Sequence, residues 1–522
     1  MSVLAVLAIG CDQGHYEDRV LPATDDELGF EGAEALSVDP AAYAADASAA
    51  DATGLKLAPP ETRAPLGLHG GDAPLTPRSV SYTPQPGDRF GQSTAYGDFD
   101  GDGSPELAVG VPNADLIRGV YNYTDGGLVQ IYEYTGMYVN TLTPSQVIEF
   151  PDGWSNATYD AHYGSALVVG DFNGDGYDDL AIGAEGFDND TGMAQVWFGG
   201  TNGLGGGRGV YIGYVPGGYA NPKHGTHFTH ALAAGDLDGD GRDELYISTR
   251  RSGASVDFVS VWDYESIRWP LPNPPIVIPD PVPDSGFGVS LATGEVHSGS
   301  AGDCLVVGAD GYGAQAGKAF TFCDDPQQPD LQLSLWDTVV SPAASADDEF
   351  GAAISVVQLD TGVEELLVGA PGEGSDAGAA YVFSEDVGAD LVLVDTWTQN
   401  SIGSAWTEAG DRFGAAVAAA SASNILLGSP GEAPNANPQS GMATHLDGGV
   451  LHAHLTSATL WNAPLTAGDE FGAAVLSSLD PWSYGVLVMS APGMNGETGS
   501  VFLVEVPPGS GPGSYGATHS LP

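Results

Sequence analysis

From about residue 75 to residue 507 the chain is a succession of short apolar runs cut by Gly, Pro, Asn, Asp and Ser. The runs are rich in Val, Ile, Leu and aromatic residues, and many alternate apolar with polar positions. That pattern predicts β-strands joined by tight turns. The Gly content and the alternation exclude continuous helix.

The runs recur as a unit. Each unit opens on an aromatic, usually followed by Gly and then by small apolar residues: RFGQST, HYGSAL, HFTHAL, GFGVSL, EFGAAI, RFGAAV and EFGAAV. The aromatics are Phe90, Tyr163, Phe228, Phe287, Phe350, Phe413 and Phe471, spaced 58 to 73 residues apart. About twenty residues later comes a second phrase: LAVGVP, LAIGAE, LYISTR, LVVGAD, LLVGAP, ILLGSP or LVMSAP. A third apolar run closes the unit, as in Gly378–Phe383 and Gly499–Val504. A period near 60 residues with several short strands per unit predicts a propeller blade of four strands.

These phrases resemble the FG-GAP repeats of the integrin α-subunit propeller and of many bacterial surface proteins. The resemblance runs from about Arg78 to Val506 and implies an all-β, seven-bladed propeller of four-stranded antiparallel blades. Repeat three departs most, with Phe228-Thr229 for Phe-Gly and Ile247-Ser248-Thr249 for Gly-Ala-Pro. After Val506 the chain becomes PPGSGPGSYG, too rich in Gly and Pro for a strand. The seventh unit therefore lacks a fourth strand of its own in the sequence pattern, and Leu75–Thr83 is expected to supply it from the N-terminal side, which would protect an open edge.

Three nine-residue acidic loops follow the first strand of units one to three. They present Asp98, Asp100, Asp102, Ser104 and Glu106; then Asp171, Asn173, Asp175, Tyr177 and Asp179; then Asp236, Asp238, Asp240, Arg242 and Glu244. Side-chain oxygens at positions one, three, five and nine, with the carbonyl of position seven, form the hard ligand set that Ca²⁺ takes, and Gly at position six permits the sharp turn. Three calcium ions are expected. An EF-hand would need Glu at position twelve, where Val109, Ile182 or Ile247 stands, so each would be a β-hairpin site. Glu at position nine departs from the usual motif in loops one and three. Units four to seven lack the loop, whereas integrins carry their calcium sites in later blades.

Other constellations carry less. His224, His227 and His230 form H-x-x-H-x-x-H, a helical zinc spacing, but they fall at a loop-to-strand junction and read as polar junction residues. His452 and His454 share one strand face, expected to be solvated. Asp88, Asp348, Asp411 and Asp469 each precede an aromatic by two places and suit turns. No nucleophile elbow, phosphate loop or zinc-protease motif is present in the sequence, and no catalytic residue is assigned. The long segments Asn113–Asp125, with Tyr121 and Tyr123, and Gly431–Asp447 join second to third strands on the face where the aromatics begin.

Composition narrows the class. Asp and Glu number 69 against 14 Lys and Arg, a formal net charge of -55. Such a surface repels phosphate backbones and anionic lipid, so no nucleic-acid partner is expected. Residues 1–10 form an apolar run, and Leu7-Ala8-Ile9-Gly10-Cys11 resembles a bacterial lipoprotein cleavage box. Residues 1–10 would then be the signal peptide and Cys11 the lipid-bearing residue, although the box has Ala8 for the usual Leu and no basic residue precedes the run. Residues 11–74, rich in Ala, Asp, Glu and Pro, suit a disordered acidic tether. The propeller would span 75–507 and a flexible tail 508–522.

Cys304 and Cys323 begin one predicted strand and end the next, so antiparallel pairing sets them opposite for a disulfide that an exported protein would permit. The expectation is a monomeric, surface-tethered module of the outer membrane or cell surface, with a periplasmic or secreted location as the alternative. It would recognise a protein or glycan, as in cell adhesion, and touch the membrane only through its lipid. The competing expectation is an extracellular enzyme on the same scaffold, a polysaccharide lyase or a phospholipase-like hydrolase.

Overall fold

The computed structural model describes residues 82–522 apart from short stretches, the longest being 135–141, 151–159, 214–225, 251–256, 269–275, 325–332, 358–363 and 480–484. Seven four-stranded antiparallel sheets follow one another along the chain and close into a seven-bladed β-propeller. Blade four shows the plan: Phe287–Gly294 innermost, then Cys304–Ala309, Lys318–Asp324 and Leu333–Val339 outermost.

The hydrophobic pattern follows from position in the blade. Second strands such as Asp179–Ala184, Cys304–Ala309 and Glu365–Ala370 are buried at every residue, because neighbouring blades cover both their faces. They therefore read as unbroken apolar runs. Outer strands meet solvent, and Leu391–Trp397 is buried only at its two ends.

The two repeat phrases meet between blades. The Gly after the aromatic has a left-handed backbone, as at Gly351 (φ +91) and Gly414 (φ +85). Its carbonyl points at the Gly of the preceding blade's second phrase. A Cβ on Gly308 would lie 2.1 Å from the Gly351 carbonyl oxygen, and one on Gly369 would lie 2.0 Å from that of Gly414. Any side chain there would drive two blades apart. The aromatic itself is buried, and its N–H donates to the preceding blade, as Phe350 does to Ala316 (3.3 Å) and Phe413 to Ala377 (3.2 Å).

Blade three fits this frame with two exceptions. Thr229 occupies the left-handed position (φ +79), where the other described blades have Gly. Pairing of Phe228 with Thr249, matching Phe287 with Ala309, sets Ser248, Thr249 and Arg250 at the Gly-Ala-Pro positions, one residue later than the sequence alignment gave.

The ring closes differently from the expectation. Thr518–Leu521 pairs antiparallel with Val501–Val504 and is the outer strand of blade seven, so the segment after residue 507 is not merely a tail. Of Leu75–Thr83, only Tyr82 and Thr83 are described, and neither lies in a strand. The physical reason is that the third strand, Val501–Val506, leaves a row of edge groups to be paired. The Gly- and Pro-rich segment serves as the turn that returns the chain to that edge. Blade one then docks on blade seven as blades two, three, five, six and seven dock on their predecessors: Phe90 bridges Gly499, and the Arg89 N–H donates to the Glu497 carbonyl at 2.8 Å.

Cys304 and Cys323 stand opposite each other across the second and third strands of blade four and are joined by a disulfide, with Cα atoms 4.4 Å apart. Residues 1–81, including Cys11 with its cleavage box and the acidic segment, lie outside the described residues, as does His224.

Candidate metal centres and the aromatic face

Each acidic loop joins a first strand that ends in Gly to a second strand that begins with the ninth loop residue. Glycines at positions four and six take left-handed backbones, φ +73 and +88 in loop one and φ +72 and +88 in loop three, which curl the chain back on itself. Inside the curl, backbone N–H groups hold the first aspartate. Gly103 donates to Asp98 Oδ2 at 2.9 Å, Gly176 to Asp171 at 2.8 Å and Gly241 to Asp236 at 2.9 Å. The fifth residue accepts from the seventh in all three: Ser104 to Asp102, Tyr177 to Asp175 and Arg242 to Asp240.

Among the described residues, positions one, three and nine bring carboxylates together in loops one and three, without the position-five residues Asp102 and Asp240. Oxygens of Asp98, Asp100 and Glu106 lie within 4.8 Å of one another, as do those of Asp236, Asp238 and Glu244. In loop two Asn173 sits at position three, and its amide donates to Asp179 at 3.5 Å. The ninth residue is buried throughout: Asp179 is fully buried, Glu106 6% exposed and Glu244 3% exposed. Its carboxylate accepts one backbone N–H, from Phe99 onto Glu106 and from Leu237 onto Glu244, both at 2.9 Å.

Burial, reinforced by the neighbouring aspartates, pushes Glu106 up to about 8, Asp179 up to about 8 and Glu244 up to about 9. Asp98 Oδ1 and Asp179 Oδ2 are buried and have no hydrogen-bond partner. A buried anionic oxygen without a donor is costly, and a cation satisfies it. The residues present thus fit a calcium ion.

A second row of carboxylates, which sequence reasoning missed, ties the loops to one another. The eighth residue of loop two, Asp178, accepts from the Asp98 N–H (2.8 Å), and Asp243 of loop three accepts from the Asp171 N–H (2.8 Å). Asp303 of blade four does the same for Asp236 (3.2 Å), and Glu364 of blade five for Glu295 (2.9 Å). Each also donates its own N–H back to the same residue's carbonyl. A signal was present in the doubled acids Asp178-Asp179, Asp243-Glu244 and Glu364-Glu365, of which only Asp179 and Glu244 were read.

The opposite face, where the aromatics begin, carries a ring formed by the residues just before them. Arg89 pairs with Glu470 (3.2 Å) and Arg412 with Glu349 (2.7 Å), each across a blade boundary. Blades two and three place His162 and His227 in this ring. In blade four the residue is Gly286, and a Cβ there would sit 2.2 Å from Asp310 Oδ1, so the Asp310 carboxylate fills the slot.

Blades two to four also have Glu185, Arg250 and Asp310 where blades one, five, six and seven have Pro. His230 Nδ1 lies 3.6 Å from Glu185, whose carboxyl is held below its ordinary range by His230, His162 and His227 against the opposing effect of burial. Of the H-x-x-H-x-x-H residues, His227 and His230 therefore share an acid–base cluster with Glu185, and the described residues show no triad of metal-ligand atoms among them.

Remaining candidates fall as follows. Asp88, Asp348, Asp411 and Asp469 each accept from the backbone N–H three residues earlier, which makes them turn formers. His452 is not solvated: it is 8% exposed and packs on His445 with ring centres 4.6 Å apart. His454 meets Thr444 at 3.2 Å. The segment with Tyr121 and Tyr123 forms a small hairpin, Leu116–Arg118 with Tyr121–Tyr123, additional to the four strands of blade one.

The FG-GAP repeat family matches residues 90–132 and 163–197, the core of blades one and two. Integrin alpha-PS2 of Drosophila melanogaster is 36% identical over 117 residues, 22% of this chain and 8% of that protein. Integrin alpha-PS3 of the same organism is 30% identical over 172 residues, 32% of this chain and 14% of its own. Phosphatidylinositol-glycan-specific phospholipase D of Mus musculus is 34% identical over 119 residues, 22% of this chain and 13% of the enzyme. The chain thus spans a small part of each curated relative. The chain is therefore a seven-bladed β-propeller whose first two blades match the FG-GAP repeat family and whose glycine contacts between blades recur beyond them.

Proposed function

We propose that this protein is a calcium-stabilised recognition propeller, exported and acting at a cell surface, that binds a protein or glycan through its aromatic face. The observation that carries the calcium part is the buried, unpartnered oxygen of Asp179 inside an acidic loop that recurs in register on three blades. Each loop would hold one ion through positions one, three, five and nine and the seventh carbonyl.

For recognition, the support is the departure of blades two to four from their own repeat. Glu185, Arg250, Asp310, His162, His227 and His230 gather charge around the ring's mouth, where the remaining blades have Pro or satisfied ion pairs. Fixed charges on a rigid rim select polar partners, and the hairpin on blade one extends the same face. Likeness to integrin alpha chains agrees with this reading but covers only a small part of them. Binding of calcium-loaded protein to arrays of surface glycans and cell-surface fractions tests it. Retention lost in Glu185→Ala/His230→Ala and kept in a variant of the calcium face supports it; equal retention by both overturns the placement.

A second reading has one specific observation in its favour. His230 beside Glu185, with Arg250 and Asp310 close by, is the convergence of acid, base and cation that a hydrolase or lyase needs. Turnover of a polysaccharide or phospholipid substrate that His230→Ala abolishes would favour this reading over pure recognition.

A further inference from the structure

We propose that the three acidic loops take up calcium cooperatively, with the eighth-position carboxylate of each blade positioning the first ligand of the loop before it. This rests on reading the loops as calcium sites.

The geometry runs one way around the ring. Asp178 belongs to loop two and stands beside that loop's own ninth-position ligand, Asp179. Yet its side chain grips the N–H of Asp98, the first ligand of loop one, at 2.8 Å, while its N–H donates to the Asp98 carbonyl at 3.2 Å. Asp243 stands beside Glu244 of loop three and holds Asp171 of loop two in the same two-way manner, at 2.8 and 3.1 Å. Asp303 holds Asp236 at 3.2 and 2.8 Å from a blade without a calcium loop. Loop three is therefore supported from an ion-free blade, loop two from loop three, and loop one from loop two.

Side-chain packing repeats the direction. Tyr177 of loop two lies over Gly101 of loop one, so closely that a Cβ on Gly101 would come within 2.6 Å of it. Arg242 of loop three covers Gly174 of loop two likewise, at 2.9 Å. Position seven supplies the carbonyl ligand of its own loop, so the residue that covers one site is itself ordered by the ion of the next.

The sign follows. In ion-free loops two and three the carboxylates at positions one and five, joined in loop three by the one at position three, repel and loosen the segment from seven to nine. An ion fixes that segment, and with it the Asp178 or Asp243 carboxylate and the Tyr177 or Arg242 cover. The preceding loop then binds with its first ligand already oriented. By linkage the effect is reciprocal: loading loop one favours loop two as much as the reverse.

Calorimetric titration with calcium tests this in the full chain. Asp240→Ala disables loop three and leaves loops one and two; adding Asp175→Ala leaves loop one alone. Loop one is expected to bind about fivefold or more weakly in the double variant, although none of its ligands has changed. In that same background Asp178→Ala should weaken loop one further, and Asp178→Asn, which keeps an oxygen for the Asp98 N–H, should restore most of the loss. Melting of the ion-free variants checks that each is folded. Equal loop-one affinity in both backgrounds, with Asp178→Ala silent, overturns the coupling and leaves the calcium reading standing. An unmutated chain that binds no calcium overturns the calcium reading itself.

Discussion

The Asp178 carboxylate accepts the backbone N–H of Asp98 at 2.8 Å, and the Asp178 N–H returns a bond to the Asp98 carbonyl at 3.2 Å. Two acidic residues from neighbouring blades are thereby clamped side by side at the edge of a site already crowded with carboxylates. Burial and the nearby charge of Asp98 push Asp178 up to about 6. Several consequences can be measured.

Calcium should stabilise the fold. A ligand at ten times its dissociation constant that binds only the native state contributes about 1.4 kcal/mol, so three sites sum to roughly 4 kcal/mol. Chelator should lower the melting temperature without abolishing the propeller, because blades four to seven lack the acidic loop. Asp100→Ala, Asn173→Ala and Asp238→Ala should each remove one ion from the calorimetric count. A melting temperature indifferent to both calcium and chelator would contradict the reading.

Calcium uptake should release protons. In the ion-free protein Glu106, Asp179 and Glu244 are raised to between about 8 and 9, first by burial and then by their acidic neighbours. A raised carboxyl contributes stability that is fully present below its unfolded value near 4 and is lost as pH rises through 8 to 9. Ion-free protein should therefore lose stability from neutral pH to pH 9. Bound calcium favours the ionised form, so apparent affinity should climb over the same window. Calorimetry at pH 7 in two buffers of different ionisation enthalpy reads the released protons directly, and buffer-independent heats would refute this.

Thr229→Gly should stabilise the protein. A β-branched residue at φ +79 pays a backbone penalty on the order of 1 kcal/mol that Gly avoids, and the bond from the Thr229 hydroxyl to the Met193 carbonyl is long at 3.5 Å. The gain should appear as a rise in melting temperature. Thr229→Ala, which keeps a Cβ at that φ, should show little of it.

Removing residues 517–522 should destabilise blade seven. The deletion strips the outer partner from Val501–Val504 and exposes the pocket of Leu521, which is 7% exposed in the intact chain. Amide exchange should accelerate first along Val501–Val506. Deleting residues 75–81 should leave that protection in place.

Acid should act on the same corner. Tyr515, in the segment leading to the last strand, meets His445 at 3.2 Å, and His445 also meets the Ser423 carbonyl at 3.1 Å and packs at a tilt against His452. Burial lowers His445 to about 4, with the His452 charge adding and Asp447 opposing. A lowered base contributes stability that is present above about 6.5 and is lost as pH falls through about 4. Protection of Thr518–Leu521 should fall in that window in the wild type and resist acid better in His445→Gln. Identical pH profiles would rule out the histidine as the cause.

Much of this protein was legible in the sequence because each blade repeats one solution to one packing problem. The paired glycines had to recur, since a Cβ at Gly308 or Gly369 would collide with the carbonyl of the next blade. The acidic loops were legible because positions one to nine lie within one short hairpin. The disulfide followed from strand pairing, which sets Cys304 opposite Cys323.

What the sequence alone left undecided depends on which blade lies beside which. The grip of Asp178 on Asp98 spans 80 residues, and the Glu185–His230 contact crosses from one repeat to the next. Strand periodicity reports which way a side chain faces but not what a neighbouring blade brings against it. Closure of the ring was misread for the same reason. PPGSGPGSYG looks like a chain end, and only the unpaired edge of Val501–Val504, present once the blade has folded, draws the four residues Thr518–Leu521 into a strand. Local composition determined where strands and ion ligands form, while unsatisfied backbone edges and contacts between blades determined how they join.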